Sequence, residues 1–149
     1  MDAADIDHIL RLLAAAAVGI AIGFNRELRD KPLGMRTLAL VALGSALAPL
    51  AAISFGDIAS SAGPLARVLQ GVLEGVLPGI GFIGAGVVLR HRGSETVYGL
   101  TTAATVWVTA ALSIACALAA WTLVVSGLVL ALAILFGLNW VEQRLFAKR

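Results

Sequence analysis

Apolar runs of bilayer-crossing length decide what this chain can become. A helix needs about 20 mostly apolar residues to cross the roughly 30 Å hydrocarbon core. The sequence breaks into pieces of that kind at about 6–24, 37–55 and 66–89, followed by one long stretch at about 100–140. As a single helix the last stretch would run about 60 Å at 1.5 Å per residue, twice the bilayer core. It therefore divides into spans at about 100–118 and 121–140, with a tight turn near Ala119–Trp121 that no Gly or Pro marks. Trp121 and Trp140 stand 19 residues apart, about 28 Å along a helix, which suits two interfacial aromatic belts.

Composition agrees with lipid as the solvent. Of the 149 residues, 60% are hydrophobic and 13% charged, against about 45–50% and about 25% in soluble domains. So little charge could not cover a water-facing surface. The predicted fold is an all-α polytopic membrane helix bundle of about five transmembrane helices, one domain over residues 1–149. Asp2, Asp5 and Asp7, flanking the start of the first span, argue against a signal peptide, which begins basic. Eleven basic residues against nine acidic give no nucleic-acid footprint, and the single Cys116 allows no disulfide framework or cysteine metal site.

The cations set the orientation. With five spans, Arg26, Arg29, Lys31, Arg36, Arg90, Arg92, Arg144, Lys148 and Arg149 fall on one side, which the positive-inside rule makes cytoplasmic. The amino terminus is then outside and the carboxy terminus inside. Four spans would push the basic tail outside. The stretch Gly56–Pro64 reads as the one clear outer linker.

Several features inside the spans invite functional readings. Gly71, Gly75 and Gly79 recur every four residues on one helical face, and Gly81, Gly84 and Gly86 continue the small surface; a packing seam is the plainer reading. Gly79, Gly81 and Gly84 match G-x-G-x-x-G literally, but an apolar span lacks the βαβ context of a dinucleotide site. Pro78 removes the donor that would meet the Glu74 carbonyl. That predicts a helix break beside a carboxylate at membrane depth: either a candidate Mg2+ or proton site, or a neutralised Glu at a kink. Thr102, Thr105, Thr109 and Ser113 form a hydroxyl stripe that either bonds within the bundle or lines a wet path. Arg11 can snorkel or meet Asp7, and Arg67 can snorkel. His8 and His91 have no partners at ligand spacing. The dense charges from Asn25 to Arg36 read equally as a topology anchor or as a salt-bridged cluster. No catalytic triad or phosphate loop can be assembled.

Four of these runs resemble the MgtC/SapB family of bacterial inner-membrane proteins, over about Leu10 to Leu138. They are Gly23-Phe24-Asn25-Arg26-Glu27, similar to that family's Gly-x-Glu-Arg-Glu; Lys31-Pro32-Leu33-Gly34-Met35-Arg36-Thr37; Gly79-Ile80-Gly81-Phe82-Ile83-Gly84-Ala85-Gly86; and Gly99-Leu100-Thr101-Thr102-Ala103-Ala104-Thr105-Val106-Trp107. The resemblance implies a multi-pass inner-membrane protein tied to Mg2+ homeostasis and growth in low Mg2+, with some members thought to restrain the ATP synthase. It also implies that the charged loop and the glycine and threonine motifs carry function. Asn25 stands where the family usually has an acid. Glu74 falls in a region, Gly71–Leu77, that looks longer than usual. Larger members carry a soluble carboxy-terminal domain, and the chain reads as a short member without it.

Two functional hypotheses follow. One is a non-enzymatic membrane protein of Mg2+ homeostasis acting through partner helices, in lipid and as a homo-oligomer, with no bound cofactor. The other is a small oligomeric Mg2+ or H+ transporter or channel built on Glu74 and a break at Pro78. An intramembrane enzyme lacks a nucleophile–base pair.

Overall fold

The computed structural model describes residues 2–54, 62–89 and 98–138. Most of the Gly56–Pro64 linker, Arg90, His91, Arg92, Trp140 and the basic tail lie outside the described residues. Five helices follow in order: α1 (Ala3–Glu27), α2 (Met35–Ser54), α3 (Ala62–Leu89), α4 (Leu100–Ala117) and α5 (Trp121–Ala133), the last continued by a π-helical turn, Ile134–Leu138. The first four contain apolar helices long enough to cross a bilayer, while α5 and its continuation form a shorter apolar helix, Trp121–Gly137. The chain is an all-α membrane-type bundle.

The α1–α2 pair is the tightest crossing. A methyl group built on Gly19 would lie 2.5 Å from the Leu38 carbonyl oxygen and 2.8 Å from the Ala39 Cα and the Ala42 Cβ. One on Gly23 would lie 2.5 Å from the Met35 Cα. Glycines four apart on α1 thus let the two backbones touch, as small residues do between helices in lipid. The sequence reading placed such a seam at Gly71, Gly75 and Gly79. In the fold those three meet nothing within 4 Å, because α3 turns that face away from its own bundle.

Helix α4 is the hub and contacts all four other helices. Of its membrane-length window 56% is buried, against 11% for α3. Its stripe of Thr102, Thr105, Thr109 and Ser113 is wholly interior. Thr105, Thr109 and Ser113 each donate a hydroxyl hydrogen to the carbonyl four residues back, at 2.6, 2.8 and 2.7 Å. Such back-bonding satisfies a hydroxyl without water, which is the bundle-interior reading of the stripe. The α4–α5 turn falls where the sequence placed it, with Ala119 left-handed at φ 54°. Helix α3 runs unbroken through Pro78, contrary to the expected break. In lipid, a helix that loses one donor has no water to reward opening, so the remaining bonds hold it together.

Candidate functional site at the charged end of the bundle

The carboxyl ends of α1, α3 and α5 and the amino ends of α2 and α4 gather at one end of the bundle. Gly84 of α3 packs 3.4 Å from the Ala103 side chain, and Gly99, left-handed at φ 90°, lies 3.2 Å from the Val87 carbonyl oxygen. At the opposite end Arg11 pairs with Asp7 at 2.5 Å and donates to the Ala117 carbonyl at 2.8 Å, tying the start of α1 to the end of α4. That arginine is structural: its charge is matched within one helical turn, and its second arm takes up one of the free carbonyls of a helix terminus.

At the charged end the last turn of α1 carries Asn25, Arg26 and Glu27, each with a different environment. Arg26 is 4% exposed and Asn25 1%. The Arg26 Nη2 donates to the Thr102 Oγ1 in the first turn of α4. Among the described residues the Arg26 Nε and the Asn25 Nδ2 find no hydrogen-bond partner. A buried guanidinium beside the amino end of a helix faces the positive end of that helix's dipole. The Thr102 hydroxyl is the polar group that receives it. Glu27 is exposed, and its Oε2 accepts from the Met35 backbone N–H at 3.1 Å. It thereby satisfies one of the free donors that open α2 and places a negative charge at the favourable end of its dipole. Arg29 closes the other flank, 5.7 Å from the centroid of the Phe136 ring beyond α5.

Between α1 and α2 the turn surrounds an open hollow of about 630 Å³ lined by Glu27, Asp30, Lys31, Gly34, Met35, Arg36 and Thr37. Asp30 and Leu33 hold positive φ angles of 50° and 64°, which fold the connection back on itself. Of the two readings of this charged run, the salt-bridged cluster is not formed: among the described residues the one ion pair is Arg11–Asp7. Glu27 is engaged with the α2 amide instead, and Asp30, Lys31 and Arg36 line the open hollow, where pairing gains little.

The other sequence-singled residues divide. Thr105 is buried one turn below Thr102 and lines a small apolar cavity of about 90 Å³ with Ile22, Ala104, Val108, Ala131, Ile134 and Leu135. Thr101 is exposed. Of the glycine motif only Gly84 packs against α4, while Gly79, Gly81 and Gly86 meet nothing within 4 Å. Glu74 is exposed on α3, where its Oε1 accepts from the Gln70 Nε2 at 2.8 Å. Among the described residues no group of three His, Cys, Asp or Glu side chains could hold a metal ion. The sequence alone did not single out Gly19, the packing role of Gly23 or the Arg29–Phe136 contact. The four-residue spacing of the two glycines was a legible signal.

The MgtC family model matches residues 12–144. Protein SrpB of Synechococcus elongatus is 40% identical over 140 residues, covering 89% of this chain and 75% of that protein. The putative magnesium transporter YhiD of Escherichia coli K12 is 35% identical over 143 residues, 95% of this chain and 65% of that one. Protein MgtC of Salmonella typhimurium is 40% identical over 111 residues, 74% of this chain and 43% of that one. The chain thus spans from under half to three quarters of the length of these relatives. No solved structure matches it.

Proposed function

The chain belongs to the MgtC family, and on that premise we propose that it is a multi-pass protein of the bacterial inner membrane that serves Mg2+ homeostasis. It acts without catalysis, through membrane partners that engage its charged end. The basic turn Arg26–Arg36 faces the cytoplasm and the aspartate-rich start of α1 faces outward. The observation that carries this reading is convergence. The neighbouring runs 25–27 and 31–37 are separated from the run 99–105 by the rest of α2 and the whole of α3, yet the buried Arg26 side chain closes on Thr102 while the Arg26 carbonyl accepts from the Lys31 backbone N–H at 3.1 Å. Burying a cation costs several kcal/mol unless its surroundings repay it, so a bundle that keeps one there keeps it for use.

The transporter reading has one relative's name in its favour, that of YhiD. Against it, α3 is continuous through Pro78 and Glu74 faces away from its own bundle. The test is growth in low Mg2+ of a bacterial strain made dependent on this protein. Arg26→Met and Arg36→Ala should each abolish or sharply reduce growth at unchanged membrane abundance, and Glu74→Gln should not. Proteoliposomes that take up Mg2+ above the level of empty vesicles, with uptake lost in Glu74→Gln, would overturn the non-transporting role.

A further inference from the structure

Over residues 70–79 the face that α3 turns outward has the wrong chemistry for lipid, although Phe82 and Ile83 beyond it are exposed and apolar. Val72, Leu73, Val76, Leu77 and Ile80 are wholly or partly buried against the other helices, whereas Gln70, Gly71, Glu74, Gly75, Pro78 and Gly79 are exposed. A helix bathed in hydrocarbon needs the reverse, with its leucines and valines outward. The glycines do no packing against the described residues, since a methyl group on Gly71, Gly75 or Gly79 meets none of them within 4 Å. Glu74 lies near the middle of the 28-residue helix, about 18 Å from one end and about 22 Å from the other. Its carboxylate and the Gln70 amide are bonded to each other at 2.8 Å and are otherwise exposed. A carboxylate facing acyl chains at that depth costs at least a few kcal/mol.

We infer that the α3 helix of a second copy covers this face, so that the protein assembles through paired α3 helices; the inference rests on the membrane-spanning reading above. Two properties select a copy of the same chain. All copies insert in one orientation, so two α3 helices are parallel and like depth meets like depth. The four-residue ribbon without Cβ atoms then lets the backbones approach as in a glycine-zipped pair. The polar groups are also self-complementary. Parallel pairing brings the two Glu74 carboxyls to one depth, and the amide hydrogen that each Gln70 keeps beyond its bond to Glu74 is donated across to the other copy's free carboxyl oxygen, one helical turn away. At mid-bilayer no lipid headgroup or bulk water competes for them.

Cysteine scanning in native membranes tests the pairing. In a Cys116→Ser background, single cysteines at Gly71, Gly75 and Gly79 should form disulfide-linked dimers on oxidation, and those at Val72 and Val76 should not. In liposomes, Gly75→Leu combined with Gln70→Leu should weaken self-association measured by energy transfer roughly tenfold, the scale of one lost interhelical polar contact in lipid. A Cβ at position 75 meets nothing within 4 Å among the described residues, and the position is exposed, so helix content by circular dichroism should stay unchanged. Outward cysteines that fail to cross-link, that cross-link no better than inward ones, or that capture a different protein would overturn the inference. Growth in low Mg2+ is scored separately: failed cross-linking in cells that still grow sinks the pairing and leaves the functional reading standing.

Discussion

Two substitutions of the same chemistry, Gly19→Ala and Gly75→Ala, should have opposite effects on stability. At Gly19 the new methyl group arrives 2.5 Å from the Leu38 carbonyl oxygen and 2.8 Å from two atoms of Ala39 and Ala42, whereas ordinary contact begins near 3.4 Å. Two of those three atoms are backbone, so no side chain can rotate away. Helices α1 and α2 must separate by the better part of an ångström. Overpacking of this kind costs about 1–3 kcal/mol. At Gly75 the methyl group meets nothing, and exchanging glycine for alanine within a helix gains up to about 1 kcal/mol. That propensity gain is common to both sites, so the difference between the two variants isolates the steric cost, about 1–3 kcal/mol. The assay is thermal or denaturant unfolding in detergent, followed by far-ultraviolet circular dichroism at dilutions where the protein is monomeric. Gly19→Ala should unfold first, wild type next and Gly75→Ala last. A Gly19→Ala protein as stable as Gly75→Ala would refute the close α1–α2 crossing and, with it, the placement of Arg26 two turns further along α1.

Three further outcomes are expected. Thr102→Val removes the acceptor of the Arg26 guanidinium and should cost about 1.5–3 kcal/mol, the range for a hydrogen bond to a charged group, while Thr102→Ser should retain most stability; equal melting of all three proteins would remove that contact from the fold. Ala119→Gly relieves a left-handed alanine and should raise stability by about 0.5–1 kcal/mol, since that conformation costs an L-residue about 1–2 kcal/mol and glycine returns part of the gain as chain entropy; a lower midpoint would contradict the turn geometry. Arg36→Ala should depress growth in low Mg2+ far more than Arg149→Ala, and equal, small effects would reduce the charged turn to a topology signal.

The span pattern was legible because its cause is local. Runs of apolar residues about 20 long have one solution in lipid, and an uninterrupted stretch from Leu100 to Trp140 had to turn near its middle even without a glycine. Helical spacing likewise put the Thr102–Ser113 hydroxyls on one face, but left open whether that face was interior or lined a wet path. What the sequence could not supply was the facing of each helix. Gly71, Gly75 and Gly79 look like a better seam than Gly19 and Gly23 when spacing alone is read. Which ribbon lies against a neighbour depends on how five helices share one interior, and α3 is attached by its opposite side. Pro78 misled for a related reason, because the cost of a missing donor depends on what solvent could replace it. The site was partly visible: Asn25, Arg26, Glu27 and Thr102 were singled out, but the closing of Arg26 on Thr102 joins residues 76 apart in sequence.

The back-bonded hydroxyls of α4 bear on biosynthesis. The ribosome delivers this helix fourth, after three spans whose shared interior it must later fill. A segment with three free hydroxyls would enter the bilayer reluctantly. Thr105, Thr109 and Ser113 instead find their acceptors on the same helix, so α4 partitions into lipid almost as an aliphatic rod. Its polar stripe is masked during insertion and fits the waiting groove without any exchange of partners. Thr102 is the exception: its oxygen receives Arg26 once the groove closes, a latch set only when the last-arriving central helix is home.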